Sequence, residues 1–251
     1  MKLARTTLGE GPDLLLIHGW GMNLAVWQPL VSELEGDFRI TLVDLPGHGE
    51  SPWNETMQTL DDWTQVVLET APKQAIWAGW SLGGLLMQRA RMLAPERVYA
   101  TLGIATTPCF IRHDGWPHGI APEILPAFAR ELESDNRRTL RRFLALQVQG
   151  AEDARATLLM LRKEFDARPA PRPEALRVGL RLLMETDLRD LAEDSAPPAR
   201  WLLGERDTLV PMAAGKSLSG QVQVIPGAAH APFLSHAGIC AAVLRELRSH
   251  V

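Results

Sequence analysis

The residues Gly79-Trp80-Ser81-Leu82-Gly83 follow the pattern G-x-S-x-G and carry the strongest chemical signal in the chain. The pattern lies between an apolar run that predicts a strand, Gln74 to Ala78, and a helix-forming run that begins at Leu82. A serine on a sharp strand-to-helix turn projects its hydroxyl above the sheet, where it can attack a carbonyl carbon. The alternative is a glycine-rich turn whose serine caps the helix. Ser81 is the predicted nucleophile.

A serine hydroxyl is a poor nucleophile near neutral pH, so it needs a base that takes its proton. His230 is the predicted base, because it follows the apolar strand Val222 to Ile225 through a short loop. We expect His18 and His48 to order loops instead. The remaining histidines lie in a later insertion, near the start of the last helix or in the tail: His113, His118, His236 and His250.

The base in turn needs an acid that orients it. Asp207 is the predicted acid, because only Gly204-Glu205-Arg206 separate it from an apolar strand. This spacing places its carboxylate at the carboxyl edge of the sheet, on the same side as the serine. The competing acids are Glu205 in the same loop and three aspartates upstream, Asp187, Asp190 and Asp194.

Attack on a carbonyl creates an oxyanion, which needs two hydrogen-bond donors. The backbone N–H of Leu82, the residue after the nucleophile, is one expected donor. The loop His18-Gly19-Trp20-Gly21 follows the first long strand, where the second donor is expected, and we assign it to the N–H of Trp20. Both residues would then also line the substrate pocket.

Four arginines lie within six residues: Arg137, Arg138, Arg141 and Arg142. On a helix, Arg138 and Arg142 share a face, and four neighbouring cations repel one another, so an anionic partner is a reasonable inference. Nucleic acid is disfavoured, because the chain has a net charge of −4 and a sequence pI near 6.0. Pairing with nearby acids of the chain stays open as the alternative, and these acids are Glu131, Glu133 and Asp135.

The elements that must position these residues alternate between short apolar runs and helical patterns, which predicts a mostly parallel sheet with helices on both faces. The expected strands are 14–17, 39–44, 74–78 and 98–105, and the expected helices between them include 60–70 and 82–93. After residue 106 the pattern becomes helical, with proline-rich breaks, until about residue 190. We therefore predict a core of residues 1–107 and 191–251, with a helical cap of residues 108–190 inserted before the acid-bearing strand.

Composition limits the class of protein. The 251 residues are 46% hydrophobic and 22% charged, as in a globular chain, and no apolar run approaches the length of a bilayer span. The amino terminus carries no apolar signal-peptide segment, and Cys109 and Cys240 are the two cysteines. We expect a cytoplasmic protein without a disulfide framework or a structural zinc site.

The motifs HGWG at 18–21, DLPGHGES at 44–51, GWSLGG at 79–84, GERDTLVP at 204–211 and GAAHAPFLSH at 227–236 resemble those of the α/β-hydrolase superfamily. Within it, the chain is similar to the pimeloyl-[acyl-carrier protein] methyl ester esterases of biotin synthesis. The insertion carries that family's two arginine pairs followed by Phe143-Leu144-Ala145-Leu146-Gln147, and later Thr186-Asp187-Leu188-Arg189. The resemblance implies an α/β-hydrolase fold and a serine carboxylesterase.

In that family, the serine attacks the methyl ester of a pimeloyl chain that phosphopantetheine tethers to acyl-carrier protein. The resemblance implies substrate contacts at Trp20, Ser81, Leu82, His230 and residues 143–147, that is Phe143, Leu144, Ala145, Leu146 and Gln147. It also implies that Arg138, Arg142 and Arg155 bind the acidic carrier protein. One position departs from the family, because Leu159 stands where a basic residue is common. No metal, organic cofactor, nucleic acid or membrane is expected, and we expect a monomer.

Three other functions stay open at this point. A general short-chain carboxylesterase would share the triad, and its cap would accept many acyl groups. A lyase of menaquinone synthesis would use the triad to abstract a proton. A small-molecule receptor would keep the fold without catalysis, although a triad that looks complete argues against it.

Overall fold

A computed structural model describes residues 1–189 and 197–251. Seven strands form one sheet in the order β1-β3-β2-β4-β5-β6-β7. All neighbouring strands are parallel except β1, which pairs antiparallel with β3 at the edge. The strands are β1 Arg5–Leu8, β2 Asp13–Ile17, β3 Arg39–Val43, β4 Ala75–Trp80, β5 Val98–Ile104, β6 Ala199–Gly204 and β7 Gln221–Ile225.

Helices cover both faces of the sheet, and the predicted mostly parallel sheet flanked by helices is confirmed. Short 3₁₀ helices occupy Leu24–Trp27, Pro95–Arg97, Met212–Ser217 and Arg248–His250. The α-helices are α1 Gln28–Leu34, α2 Leu60–Thr70, α3 Leu82–Leu93, α4 Ile124–Ser134, α5 Asn136–Leu146, α6 Ala154–Asp166, α7 Pro173–Glu185, α8 Pro232–Ser235 and α9 Ala237–Leu247.

The apolar strands divide the core in two. Because successive side chains of a strand point to opposite faces, Leu15 and Ile17 join one buried cluster, whereas Leu14 and Leu16 join the other. All four are fully buried. Burial of each such side chain stabilises the fold by about 1.5–3 kcal/mol, so the central strands hold the site's loops on a rigid base.

Among the described residues, helices α4 to α7 lie between β5 and β6, in the range where the sequence predicts a cap. The division into residues 1–107, 108–190 and 191–251 stays a prediction, and its second boundary lies outside the described residues. Within the described ranges, no helix is both long enough and apolar enough to cross a bilayer.

Candidate active site

Ser81 lies on the turn between β4 and α3 with a positive φ of 53°. Its N–H donates to the Ile104 carbonyl at 3.1 Å, and Thr106 Oγ1 donates to the Ser81 carbonyl at 2.8 Å. The side chain makes no capping hydrogen bond to α3, so the alternative of a helix-capping serine does not hold. The turn thus fixes the backbone of Ser81 and leaves its hydroxyl for chemistry.

Two glycines let the backbone close around this turn. A Cβ at Gly79 would lie 2.4 Å from the Gly83 carbonyl oxygen, and a Cβ at Gly83 would lie 2.2 Å from that of Ile17. Real Cβ atoms do not approach that closely, so the strand, the serine turn and the helix can pack together only with glycine at both positions. The G-x-S-x-G spacing is a packing requirement here.

Asp207 and His230 form a buried pair. Nδ1 of His230 donates to Oδ2 of Asp207 at 2.8 Å, and both residues are almost fully buried. Oδ1 of Asp207 accepts from the N–H groups of Leu209 and Val210 at 2.8 and 3.0 Å. Because the backbone holds the carboxylate and the carboxylate holds the imidazole, Nε2 of His230 is the ring nitrogen left for proton transfer.

His230 lies close to the serine turn. Nε1 of Trp80, the residue before Ser81, donates to the His230 carbonyl at 2.7 Å, and the two rings have centroids 5.8 Å apart. Nε2 of His230 is buried and has no hydrogen-bond partner among the described residues. The Asp207–His230 pair therefore lies beside the turn that carries Ser81.

The competing acids have other partners. Glu205 Oε2 accepts from the N–H of Gly227 at 2.9 Å, and Asp187 forms a two-pronged ion pair with Arg189. Neither is hydrogen-bonded to His230. Asp190 and Asp194 lie outside the described residues.

His18 and His48 order loops, as expected from the sequence. Nε2 of His18 accepts from the N–H of Leu45 at 3.0 Å, and Nε2 of His48 accepts from the N–H of Gly21 at 3.3 Å. Burial lowers the pKa of His18 to about 4, and burial together with the neighbouring His18 lowers the pKa of His48 to about 3. Both rings are thus neutral acceptors that tie the loops after β2 and β3 together.

The other histidines stand apart from the serine turn. His236 precedes α9 and is hydrogen-bonded to Ser235 at 2.8 Å. His113 and His118 lie in the insertion after β5, and His250 is in the exposed tail. None of them is hydrogen-bonded to Asp207 among the described residues.

The loop His18-Gly19-Trp20-Gly21 lies directly against the nucleophile. A Cβ at Gly19 would lie 3.2 Å from Cβ of Ser81. Leu82 is the first residue of α3, so its N–H has no acceptor four residues earlier within the helix. The two predicted oxyanion donors, at Trp20 and Leu82, are therefore carried by segments that flank Ser81.

Helices of the insertion hold the Trp20 side chain. Its indole N–H donates to the Leu176 carbonyl on α7 at 2.8 Å, and its ring meets Phe143 of α5 edge-on, with centroids 4.8 Å apart. A Cβ at Gly179 of α7 would lie 2.8 Å from Cδ1 of Trp20. Gly179 was not predicted from the sequence, where a helical glycine gives no signal of the ring that packs on it.

Gln147 directly follows α5 and contacts His230. Its carbonyl accepts from the N–H of His230 at 3.0 Å, and its side chain is fully buried. Neither Nε2 nor Oε1 of this amide has a hydrogen-bond partner among the described residues. A buried amide without a partner is costly, so Gln147 offers a donor and an acceptor to a bound molecule.

The other predicted contacts of α5 point elsewhere, because consecutive helix residues face different directions. Leu144 belongs to the buried core. Ala145 and Leu146 line a groove of about 470 Å³ between α5 and α6. The other residues that line this groove are Arg142, Val148, Gln149, Ala154, Arg155 and Leu158. The structure thus brings Phe143 and Gln147 to the serine site and leaves Ala145 and Leu146 at the groove.

The arginines differ in their surroundings. Nη1 of Arg142 donates to both carboxylate oxygens of Glu131 at 2.6 and 2.7 Å, and its guanidinium lies over the Phe128 ring. Pairing within the chain, the alternative left open by the sequence, thus applies to Arg142. Arg138 and Arg155 are exposed, and neither has an ion pair among the described residues.

Residues 14–243 match the alpha/beta hydrolase family. A pimeloyl-[acyl-carrier protein] methyl ester esterase from Pectobacterium carotovorum subsp. carotovorum (strain PC1) is 45% identical over 236 residues, 92% of each chain. One from Xylella fastidiosa (strain M12) is 43% identical over 247 residues, 95% of each chain. A solved esterase from Exiguobacterium antarcticum superposes with a TM-score of 0.85 over 98% of this chain and 95% of its own, at 17% identity, and shares the fold.

Proposed function

From the premise that this chain belongs to the alpha/beta hydrolase family, we propose that it hydrolyses the methyl ester of a pimeloyl chain carried on acyl-carrier protein. The chain is a carboxylic ester hydrolase, and the products are methanol and the free carboxylate on the carrier. The observation that carries the proposal is the buried Asp207–His230 pair beside a serine held at positive φ. The identity of 42–45% to methyl ester esterases over most of the chain supports this substrate.

The first half of the reaction forms an acyl-enzyme. Oγ of Ser81 attacks the ester carbonyl carbon while Nε2 of His230 takes the hydroxyl proton. Asp207 keeps the imidazole in the tautomer that accepts at Nε2 and stabilises the imidazolium that forms. The N–H groups of Leu82 and Trp20 bind the oxyanion. When the tetrahedral intermediate collapses, the proton passes from His230 to the methoxide oxygen, and methanol leaves.

The second half returns the enzyme to its starting state. Water attacks the acyl carbon of the Ser81 ester while His230 takes one of its protons. Collapse of the second tetrahedral intermediate breaks the bond to Oγ, and His230 gives the proton back to Ser81. The acid product releases its proton to solvent and leaves as a carboxylate. The described side chains and water account for every proton in both halves.

The insertion supplies the contacts that would select this substrate. Phe143 and Trp20 form an apolar wall beside the nucleophile, and the Gln147 amide offers hydrogen bonds within the same buried region. The groove between α5 and α6 has an apolar lining between Arg142 and Arg155, which suits a pantetheine arm that approaches from an acidic carrier. We propose that this groove receives the arm.

Arg138 and Arg155, which the family resemblance assigns to carrier binding, are exposed and form no ion pair with an acid of the described residues, so both can bind the carrier. Arg142 would have to exchange Glu131 for a carboxylate of the carrier. Leu159, the position that departs from the family, is 59% exposed on α6, four residues beyond Arg155. At this position, docking would rely on an apolar contact.

The proposal includes a monomeric enzyme in the cytoplasm, with no nucleic acid or membrane as partner. Both cysteines are buried free thiols, which fits a reducing compartment. Light scattering coupled to size-exclusion chromatography tests the oligomeric state. Fractionation of cells that express the protein tests the location.

The experiment that tests the function follows both products from methyl pimeloyl carrier protein by mass spectrometry. Wild-type protein is expected to convert the ester to the free carboxylate with one methanol per turnover, whereas Ser81→Ala leaves the ester intact. A lyase would release no methanol, and a receptor would bind the substrate without turnover. Either outcome would overturn the proposal.

A further inference from the structure

A second cluster of reactive side chains shares no residue with the serine site. Sγ of Cys109, Nε2 of His113 and a carboxylate oxygen of Asp187 all lie within 4.8 Å of one another. The chain passes through this cluster as it leaves β5 and again as it returns from α7. We propose that Cys109, His113 and Asp187 bind a Zn²⁺ ion.

Two of the three distances between these atoms suit a tetrahedral ion, and the third is within 4.8 Å. Zinc binds thiolate sulfur at about 2.3 Å and imidazole nitrogen or carboxylate oxygen at about 2.0–2.2 Å, so tetrahedral ligand atoms are about 3.3–3.7 Å apart. Nε2 of His113 is 3.4 Å from Sγ of Cys109 and 3.4 Å from Oδ2 of Asp187. One thiolate, one imidazole and one carboxylate are all ordinary zinc ligands, and water would complete the shell.

The imidazole already has the orientation of a metal ligand. Nδ1 of His113 lies 2.8 Å from the Asp114 carbonyl oxygen. A carbonyl only accepts, so Nδ1 carries the hydrogen, and in the neutral ring Nε2 presents its lone pair. That lone pair faces a carboxylate oxygen, which is also an acceptor. Ligand histidines in proteins are held in this way, by donation of the other ring hydrogen to a carbonyl.

The carboxylate is oriented as well. Nε and Nη2 of Arg189 donate to Oδ1 and Oδ2 of Asp187 at 2.8 and 2.7 Å. Nε of Arg189 also lies 3.1 Å from Oδ2, and Oδ2 is held 3.4 Å from Nε2 of His113. When zinc binds, the thiol of Cys109 loses its proton to solvent as the sulfur–zinc bond forms, so the thiolate and the carboxylate together balance the charge of the ion.

The ion would join the two chain segments at the base of the insertion. Cys109 and Asp187 already face each other in an isolated antiparallel bridge, and the N–H of Leu188 donates to the Pro108 carbonyl at 3.0 Å. The sequence predicts no metal site. Cys109 and His113 are four residues apart, but Asp187 is remote in sequence, and only the fold brings it to them.

A cobalt titration tests the site, because tetrahedral Co²⁺ is visible where Zn²⁺ is silent. Reduced, chelator-treated wild-type protein is expected to bind one Co²⁺, with the charge-transfer absorption of a thiolate–cobalt bond, and Zn²⁺ should displace it. Cys109→Ser, His113→Gln and Asp187→Asn should each lose this absorption or weaken binding by more than about tenfold. Zinc should raise the melting temperature of wild-type protein and leave that of Cys109→Ser unchanged.

Two matched variants serve as controls. Cys240→Ser removes the other buried thiol, and His118→Gln removes another histidine of the insertion; both should bind cobalt as wild type does. His113 is partly exposed, so His113→Gln should fold, which circular dichroism checks. Absence of the thiolate–cobalt band in wild-type protein would overturn the proposal, as would a band that survives in both Cys109→Ser and His113→Gln.

Discussion

Asp207 uses its two carboxylate oxygens for different tasks. Oδ1 accepts two backbone N–H groups, and Oδ2 accepts Nδ1–H of His230. An amide in its place would turn a donor toward one of these partners and would mis-set the imidazole tautomer. The chemistry at this site therefore depends on the charge of Asp207 as well as on its position.

Asp207→Asn is expected to lower kcat by about 10⁴-fold, because Nε2 of His230 would no longer be held as the acceptor. Glu205→Gln is the matched control, since Glu205 lies in the same loop and an amide oxygen can still accept from Gly227 N–H. Steady-state hydrolysis of a small ester measures both variants. An inactive Glu205→Gln beside an active Asp207→Asn would move the role of acid to Glu205.

Ser81→Ala is expected to lower hydrolysis by about 10⁴-fold or more, while the thermal unfolding midpoint stays close to that of wild type. The hydroxyl makes no capping hydrogen bond, so its removal takes chemistry away from the turn and little packing. Single-turnover kinetics and thermal unfolding check the two parts. Near-normal turnover by Ser81→Ala would rule out the nucleophile assignment.

The two buried histidines make folding stability depend on pH. Their pKa values in the folded protein are about 4 for His18 and about 3 for His48, below the ordinary value of 6.5. Below pH 6.5 the unfolded chain therefore binds more protons than the folded chain. The free energy of unfolding should therefore fall from pH 6.5 toward pH 4, by up to about 1.4 kcal/mol per pH unit for each histidine. Burial raises the pKa of Asp44, so protonation of this carboxylate opposes the loss of stability at the acid end of the range.

Urea unfolding between pH 7.5 and pH 4.5 measures this slope. His48→Gln should be less stable than wild type at pH 7.5 but should show a shallower slope, because one of the two protons no longer contributes. His250→Gln, in the exposed tail, should keep the wild-type slope. Equal slopes for His48→Gln and wild type would contradict the assignment of a buried neutral ring.

At the scale of elements, α7 positions the Trp20 side chain. The Leu176 carbonyl of this helix accepts a hydrogen bond from the indole N–H of Trp20, and Gly179 leaves room for the ring. Gly179→Ala should push the indole out of place and lower kcat/KM between about tenfold and a hundredfold, even though alanine favours a helix. Kinetics with a small ester measures the effect.

Gly238 of α9 provides the control for that change. A Cβ there meets nothing within 4 Å, so Gly238→Ala should raise the free energy of unfolding by about 0.5–1 kcal/mol and leave kcat/KM unchanged. If Gly179→Ala hydrolysed the ester like wild type, α7 would have no part in the placement of Trp20.

Helices and strands that are determined by neighbouring residues in the chain could be predicted from the sequence. Helix α2 has the predicted bounds, because Thr59 and Asp62 form a capping box at its start and apolar residues recur at helical spacing. Strand β1 was missed, since three of its four residues are polar and exposed at a sheet edge. Contacts between distant residues also escaped prediction, among them those of Trp20 with Leu176 and Gly179.

At the scale of the whole molecule, charge and chemistry occupy different parts of the chain. The core supplies Ser81, Asp207 and His230, whereas Arg138 and Arg155 lie on exposed helix faces of the insertion. Exposed cations that face an acidic partner raise the association rate and weaken with salt, because screening shortens from about 10 Å at 0.1 M to about 3 Å at 1 M. Recognition of a carrier can thus change without a change at the serine.

Charge reversal at the arginines separates carrier binding from ester hydrolysis. Arg138→Glu with Arg155→Glu should raise the apparent KM for the carrier-linked ester by about tenfold or more and leave hydrolysis of a p-nitrophenyl ester close to wild type. Arg142 is left intact, because a glutamate there would repel Glu131. Lys73 is exposed just before β4, at the amino edge of the sheet. Lys73→Glu is therefore the control and should leave the hydrolysis of both substrates unchanged. Equal loss on both substrates would indicate damage to the insertion.

The most direct test of the central claim compares kcat/KM for methyl pimelate linked to acyl-carrier protein with kcat/KM for the same ester linked to a small thiol. We predict a preference of at least about tenfold for the carrier-linked ester at low ionic strength, which declines as salt is added. Ser81→Ala should hydrolyse neither substrate. Equal values for the two substrates at low salt would contradict the account and would identify a general short-chain carboxylesterase.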